Sequence, residues 1–277
     1  RHRRFTVAVR GGGARATAGG AGGVGGGPPR WVRGGPGPDA RTPSGPSRPS
    51  GALHAVPAAG GWLLDGVAPP VLGGAQADLV LLRATTADGS VWLAVDADGL
   101  AVRPHESADP TRPTAEVAAR GLHVPAAREL ALDTALVHDL AAVLLAADAC
   151  GTAARAVDTA AEHARTREQF GRPIGQFQGV KHLCADMLVR LEQARALTWD
   201  AARAGDDDAR SLTAALAAAT ALDTAYTCAK DCIQVLGGTG FTWEHDAHLL
   251  LRRAVVARQL LGSGDRHRLA ALRHAAD

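Results

Sequence analysis

The sequence predicts a mostly α-helical α+β protein: a small antiparallel β domain followed by a C-terminal up-down four-helix bundle, with a disordered N-terminal segment. Three observations support this fold class. Residues 1–50 are rich in Gly, Pro and Arg, short β-type runs fill residues 51–128, and residues 129–277 follow a helical pattern. Aromatic residues make up only 4% of the chain and hydrophobic residues 46%. Ala, Leu and Val must therefore form the core, which favours closely packed helices.

The N-terminal segment, residues 1–50, carries nine arginines and a single acidic residue, Asp39, so its net charge is +8 and that of the remaining chain is −6. A segment of this composition buries too little apolar surface to offset the entropy of ordering it, so we expect disorder. An Arg/Gly arm that binds nucleic acid is the alternative. Because Phe5 and Trp31 are its only aromatic residues, stacking on bases would be sparse and we expect no nucleic-acid partner.

Short alternating runs at residues 61–66, 78–83, 91–95, 100–103 and 115–124 predict strands of a middle domain spanning residues 51–128. The sequence Ala-Asp-Gly-Ser at 87–90 supplies a turn between the second and third of them. Several short strands with turn signals at this spacing are typical of a small antiparallel barrel or sandwich.

The pattern beyond residue 129 predicts long helices at 131–166, 180–204 and 209–236, and shorter ones at 243–261 and 265–275. Gly205 and the acidic run 206–208 break the pattern and supply an N-terminal cap and charge. The glycines at 237–240 end the third helix. Short links between such helices imply an antiparallel bundle.

No stretch reaches the roughly 18 uninterrupted apolar residues of a membrane span, and no secretory signal pattern is present, so we expect a cytoplasmic protein. The first residue is Arg1, so a fragment or a processed product is expected.

The cysteines Cys150, Cys184, Cys228 and Cys232 form no Cys-x-x-Cys pair. Reduced, buried thiols are therefore expected rather than a zinc site. We expect no metal.

The link between the first two long helices, residues 167–178, reads Arg-Glu-Gln-Phe-Gly-Arg-Pro-Ile-Gly-Gln-Phe-Gln. A plain turn requires only its Gly and Pro residues and does not account for Arg167, Gln169, Phe170 and Gln178 together. A guanidinium group can hold a pyrophosphate, a phenyl ring offers a flat apolar face, and amides can bond the polar edges of a ring.

A second run, residues 234–241, places Gln234, Gly237 and Gly238 at the end of the third long helix. Glycines there let bare backbone approach a phosphate closely. Taken alone, such a run is also an ordinary helix stop; its position between Gln234 and Phe241 distinguishes it.

Together with Gly-Trp-Leu-Leu-Asp-Gly at 61–66, these runs resemble the acyl-CoA dehydrogenase family over about residues 52–275, without that family's N-terminal helical domain. The resemblance implies contact with FAD, in part the FAD of a neighbouring subunit, by Arg167, Gln169, Phe170, Gln178, Gln234, Gly237 and Gly238. It also implies α,β-dehydrogenation of an acyl-CoA thioester. The family's usual Lys, Trp and Thr beside the flavin are replaced here by Ala68, Pro70 and Leu72.

The reaction needs a carboxylate to remove the proton α to the thioester. The two positions where the family places this glutamate correspond to Leu261 and Ala141, so no catalytic residue is assigned. Asp148 lies in an apolar stretch, where burial would raise the pKa of a carboxyl and suit it to act as a base; a hydrogen bond to a neighbouring helix is the alternative. Three other carboxylates are expected at helix starts: Asp139, Glu244 and Asp265.

Two functions fit. In the first, the chain is an acyl-CoA dehydrogenase-like flavoprotein, as a subunit that lacks its own glutamate and forms a homo- or hetero-oligomer with another acyl-CoA dehydrogenase-like subunit. In the second, it is a non-catalytic scaffold or binding homologue that has lost flavin chemistry.

Overall fold

The computed structural model describes residues 5–8, 52–205 and 209–275 of the 277-residue chain. They form a sheet domain followed by a helical bundle. The strands of the sheet are β1 (Phe5–Ala8), β2 (His54–Ala58), β3 (Gly61–Val67), β4 (Val71–Leu72), β5 (Leu79–Thr86), β6 (Gly89–Asp96), β7 (Ala101–Pro104), β8 (Thr114–Pro125) and β9 (Glu129–Leu130).

The sheet runs in the order β4-β8-β3-β2-β5-β6-β9, with β1 paired to β5 and β7 paired to β8. It is mixed rather than purely antiparallel, because β1 and β2 both lie parallel to β5. They share one side of that strand: β1 pairs with its first four residues and β2 reaches only Thr85. The five predicted strands are present; β2, β4 and β9, which span only two to five residues, were not predicted.

Strand β1 corrects part of the expectation of N-terminal disorder. Phe5–Ala8 alternates large and small side chains and contains β-branched Thr6 and Val7, a composition suited to a strand. The Thr6 hydroxyl donates to the carbonyl of Leu72 at 2.5 Å, tying β1 to β4. The predicted disorder of residues 9–50 lies outside the described residues.

The bundle contains α1 (Thr134–Thr166), α2 (Gln178–Arg203), α3 (Arg210–Leu236), α4 (Ala247–Leu260) and α5 (Gly264–His274). All five predicted helices are therefore observed; α1 begins three residues and α4 four residues later than expected. The acidic run 206–208 that was expected to cap α3 lies outside the described residues.

Alanine makes the close packing of this bundle possible. The buried face of α1 carries seven alanines at spacings of three or four residues: Ala142, Ala146, Ala149, Ala153, Ala156, Ala160 and Ala164. It packs chiefly against α3, whose buried face is also largely alanine. Small side chains let helix axes approach closely, so a chain with 4% aromatic residues still has a dense core.

The sheet domain has its own core, built from Leu64, Val80, Leu82, Leu93 and Val117 with their neighbours. Among the contacts that join the two parts, the Trp92 indole N–H on β6 donates to the Thr134 hydroxyl at the start of α1, 3.1 Å away. The sheet is thereby fixed beside the first turns of α1.

Candidate functional site

The link between α1 and α2 folds into a small antiparallel hairpin of β10 (Glu168–Gln169) and β11 (Arg172–Pro173). Its two turn residues, Phe170 and Gly171, both have positive φ angles, 54° and 75°, as a tight two-residue hairpin with the right twist requires. Phe170 is the only non-glycine residue in the described part of the chain with positive φ. This conformation is unfavourable for a bulky side chain, and such outliers concentrate at functional sites.

The side chain of Phe170 is 91% exposed, so its ring is presented to the outside rather than buried as core. It meets Phe177 edge to face at 6.1 Å between ring centroids. The Arg172 guanidinium carbon lies 4.2 Å from the centroid of the Phe177 ring, a cation–π contact. Phe177 thus anchors the hairpin and leaves one face of Phe170 available to a flat ligand.

The other predicted residues of the hairpin region are also at the surface. Arg167 is exposed and ends α1, and its carbonyl accepts a hydrogen bond from Ile174 N at 2.8 Å. The Gln169 amide donates to the carbonyl of Glu168 at 2.8 Å. Gln178 is exposed on the first residue of α2. The Arg167 guanidinium therefore lies beside an ordered backbone turn, where it can meet an anion.

The glycines after α3 form an open turn. Gly237 has φ 60° and its N–H bonds back to the carbonyls of Ile233 and Gln234, which ends the helix. An added Cβ at Gly237 or Gly238 would meet no atom within 4 Å, whereas one at Gly240 would come within 2.8 Å of the Ile233 carbonyl. Gly240 is thus required by packing, while the backbone at 237–238 is free for a ligand to approach.

The hairpin and the glycine turn lie at the same end of the bundle. Consecutive helices joined by short links run antiparallel, so α1 and α3 point the same way and both end there. His163 on α1 confirms the proximity: burial lowers its pKa, and the nearby charges of Arg167 and His245 lower it further. His245 follows the glycine turn in sequence. This end therefore combines positive charge, open backbone and an exposed ring.

Two exposed aromatic residues of this region were not assigned a role from the sequence. Phe241 is 77% exposed and Trp243 is 76% exposed. Their position directly after the glycine run was the available signal. With Phe170 they give this end of the bundle three exposed aromatic rings, an arrangement suited to a ligand or to another protein.

A cavity of about 390 Å³ lies between the sheet and the bundle, and both positions expected for the catalytic glutamate line it. Leu261 is only 5% exposed. Ala141 faces the same space, as do Pro70 and Leu72 from the sheet. All twelve lining residues are leucine, valine, alanine or proline. These side chains can enclose an apolar group, but none of them can accept a proton.

Asp148 is not in apolar surroundings. Its two carboxylate oxygens accept hydrogen bonds from the Arg112 and Arg253 guanidinium groups. Arg112 lies between β7 and β8 and Arg253 lies on α4, so this carboxylate joins the sheet domain to two helices of the bundle. Its surroundings identify Asp148 as a structural counter-ion; it does not line the 390 Å³ cavity.

Two neighbouring arginines of α4 contact the sheet domain. The Arg253 guanidinium also donates to the Thr111 hydroxyl at 2.7 Å, and that of Arg252 donates to the Ala108 carbonyl. Both side chains therefore hold the loop between β7 and β8.

Of the remaining carboxylates, Asp139 and Glu244 do not lie at helix starts as expected, whereas Asp265 does, although it is not the cap residue. Asp139 is buried in the second turn of α1 rather than at its start, and accepts from Arg210 Nε at 3.2 Å and from the Ser211 hydroxyl at 2.6 Å. Glu244 lies exposed before α4 begins. Asp265 lies in the first turn of α5 and pairs with Arg268, while Ser263 is the N-cap residue. None of these carboxylates lines the cavity.

The chain is similar to known proteins in sequence and in fold. The family profile for the acyl-CoA dehydrogenase C-terminal domain matches residues 138–276. Acyl-CoA dehydrogenase FadE34 of Mycobacterium tuberculosis is 48% identical over 207 residues, which is 73% of this chain and 28% of the relative. Acyl-CoA dehydrogenase IpdE2 of the same organism is 40% identical over 193 residues, 70% of this chain and 56% of the relative.

Among solved structures, the ChsE4-ChsE5 complex from Mycobacterium tuberculosis superposes with a TM-score of 0.77 and 27% identity, covering 82% of this chain and 63% of that chain. The chain thus spans less than two thirds of the length of these relatives.

Proposed function

This chain belongs to the acyl-CoA dehydrogenase family, and from that premise we propose that it is a subunit that contributes to a flavin site without supplying the catalytic base. In this proposal it acts in the α,β-dehydrogenation of an acyl-CoA thioester. The observation that carries it is a contrast within one molecule. The hairpin after α1 keeps an exposed guanidinium and an exposed ring, while the cavity that holds both glutamate positions is wholly apolar.

The residues at the hairpin end fit FAD on their chemistry. Arg167 and the open backbone of Gly237 and Gly238 suit a pyrophosphate, and Phe170 suits a flat ring. The bound flavin would supply the hydride acceptor of the reaction. The chain's own groups would orient the dinucleotide and balance its charge. Gln169, Gln178 and Gln234 would bond its neutral polar edges.

The missing base explains why we propose an unlike partner. A lone copy, or a pair of identical copies, has leucine and alanine where a proton must be accepted, and neither side chain can do so. An acyl-CoA dehydrogenase-like subunit that retains its glutamate would complete the reaction. The solved relative described above is a complex of two proteins, ChsE4 and ChsE5, which supports assembly of this kind. We further propose that the assembly is cytoplasmic.

A flavin measurement tests this. The chain is purified alone and after co-expression with a glutamate-bearing acyl-CoA dehydrogenase-like subunit from the same genome, and flavin absorbance is recorded. We expect flavin at 450 nm only in the mixture. Arg167→Ala should remove the flavin from the purified complex. Arg165→Ala is the control, because Arg165 is an exposed arginine in the last turn of α1. This variant should retain the flavin. Equal flavin content in the two variants would contradict the role of Arg167.

The second candidate is a non-catalytic scaffold. It is favoured by Ala68, Pro70 and Leu72, which occupy the positions where the family usually places Lys, Trp and Thr beside the flavin. A complex that forms stably but contains no flavin would support the scaffold and exclude the flavoprotein subunit.

A further inference from the structure

Helix α5 is held in place by few apolar side chains. It packs chiefly on α3, and its buried residues are Gly264, His267 and Ala271. Its two leucines, Leu269 and Leu272, are instead 57% and 67% exposed. The imidazole of His267, a residue that is only 2% exposed, is therefore the largest buried side chain of this helix.

The ring of His267 lies beside a second histidine. Its centroid is 6.3 Å from that of His138 on α1, and its Nε2 atom is buried with no hydrogen-bond partner among the described residues. Burial lowers the pKa of His267 most, and the charges of His138 and Arg266 lower it further. A proton on this ring would therefore place an uncompensated positive charge beside two other cationic groups, which is unfavourable.

The carboxylate beside His138 does not reverse this preference. Asp139 Oδ1 is 4.0 Å from Nδ1 of His138, while Oδ2 accepts hydrogen bonds from Arg210 and Ser211 at the start of α3. Asp139 favours a charge on His138, but burial outweighs it and the pKa of His138 is also lowered. The contact between α5 and α1 is thus suited to two neutral imidazoles.

The ion pairs of α5 lie nearer the solvent. Arg268 pairs with Asp223 on α3 and with Asp265 in the first turn of α5. The side chain of Arg268 is 51% exposed and that of Asp265 is 84% exposed, and exposed ion pairs contribute little to stability. The attachment of α5 therefore depends strongly on its buried, neutral imidazole.

Helix α5 is directly connected to one wall of the 390 Å³ cavity. Leu261 lines that cavity, and only Gly262 and Ser263 separate it from the first residue of α5. The carbonyl of Ser263 accepts a hydrogen bond from the backbone N–H of His267 at 3.3 Å. A displacement of α5 therefore loosens the wall at Leu261.

We propose that α5 is a pH-sensitive element of the fold: a proton on His267 releases the helix from α1 and α3 and frees the cavity wall at Leu261. Release lets water solvate a charge that the docked helix does not stabilise. The inference goes beyond the proposed function and does not depend on flavin, because His138 lies near the N-terminus of α1, whereas the hairpin follows its C-terminus.

The direction and size of the effect follow from the two states of His267. Its pKa is about 4 in the docked helix and near 6.5 when the ring is exposed. The released state therefore binds the proton more tightly, and release becomes more favourable as the pH falls from about 6.5 towards about 4. Between pH 7 and pH 5 the ratio of released to docked α5 should rise about twentyfold.

Hydrogen exchange of the whole chain at pH 7 and pH 5 tests the proposal, using protection factors that correct for the effect of pH on intrinsic exchange. We expect the protection of residues 264–274 to fall about twentyfold. At pH 5 it should be at least about tenfold lower than that of residues 214–229 in the middle of α3, and residues 259–263 should share the low protection. His267→Gln should remove most of the fall. His274→Gln, the matched control at an exposed position of the same helix, should keep it.

The proposal is overturned if α5 and α3 share one protection factor at pH 5, because α5 would then separate only when the whole chain unfolds. An equal fall in His267→Gln and the unsubstituted protein, or a loss of the fall in His274→Gln, overturns it as well. Unchanged protection of residues 259–263 would refute the effect on the cavity. If His267→Gln leaves α5 unprotected even at pH 7, the unsubstituted protein and His274→Gln decide the outcome. None of these measurements depends on flavin content, so a flavin-free protein would reject the proposed function and leave this test valid.

Discussion

Replacing Asp148 by alanine should destabilise the protein by removing the carboxylate that joins its two domains. Two guanidinium groups would lose their shared counter-ion and would face one another, although Asp109 stays 3.9 Å from Arg112 Nε. The side chains of Arg112 and Arg253 are only 12% and 26% exposed, and that of Asp148 is 31% exposed. Burial is the largest cause that lowers the pKa of Arg112, and the charge of Arg253 lowers it further, while Asp148 opposes both.

The size of the effect follows from this partial burial. Removing one partner of a fully buried ion pair costs about 3–5 kcal/mol. Since all three groups retain some contact with water, we expect a loss of about 2–3 kcal/mol in the free energy of unfolding. For a chain of this size, that corresponds to a decrease of roughly 5–10 °C in the melting temperature.

Thermal unfolding by calorimetry measures this loss. Asp158→Ala is the control, because Asp158 is an exposed aspartate on the same helix; its effect should stay within about 0.5 kcal/mol. Asp148→Asn keeps the shape and should fall between the two. The sheet domain and the bundle are expected to unfold in better separated transitions in the Asp148→Ala protein. If Asp148→Ala melts together with Asp158→Ala, the carboxylate does not hold the domains together.

Two further predictions concern buried groups. Burial, with smaller contributions from His138 and Arg266, lowers the pKa of the 2% exposed His267 to about 4. Because an unfolded histidine titrates near 6.5, the unfolded state binds more protons below that pH, and the free energy of unfolding should fall by about 2 kcal/mol between pH 7 and pH 5. Urea unfolding should show a smaller fall in His267→Gln, and the same pH dependence in both proteins would contradict this role of His267. Burial also raises the pKa of the Cys228 thiol to about 12 and that of Cys232 to about 11, so neither should react with Ellman's reagent at pH 8 before unfolding, as mass spectrometry of the labelled sites will test.

The sequence predicted the helices well because each of them carries a continuous apolar periodicity and ends at a glycine or a charged link. Helix α3, for example, was expected at 209–236 and is observed at Arg210–Leu236. Strands β4 and β9, of two residues each, carry no periodicity that a sequence can display. Their existence depends on pairing with β8 and β6, which is a property of the folded sheet.

The environment of Asp148 also depends on residues that are distant in the sequence. Its neighbours in sequence are apolar, and they indicated a buried carboxyl. Its neighbours in space are Arg112 and Arg253, which are 36 and 105 residues away along the chain. Local sequence contains no information about such partners. For the two positions of the catalytic glutamate, the resemblance was sufficient. It identified Leu261 and Ala141 separately, and in the fold both line one cavity.

The contrast between the two ends of α1 bears on what this chain does. At the C-terminal end, Phe170 stays in a backbone conformation that costs on the order of 1–2 kcal/mol for a residue with a Cβ, and its ring gains little burial in return because it is 91% exposed. In the N-terminal half, the apolar side chain of Leu144 is 72% exposed and therefore remains in contact with water. Neither feature stabilises the isolated chain. Each would become favourable on contact with another molecule, which supports the proposed assembly with a second subunit.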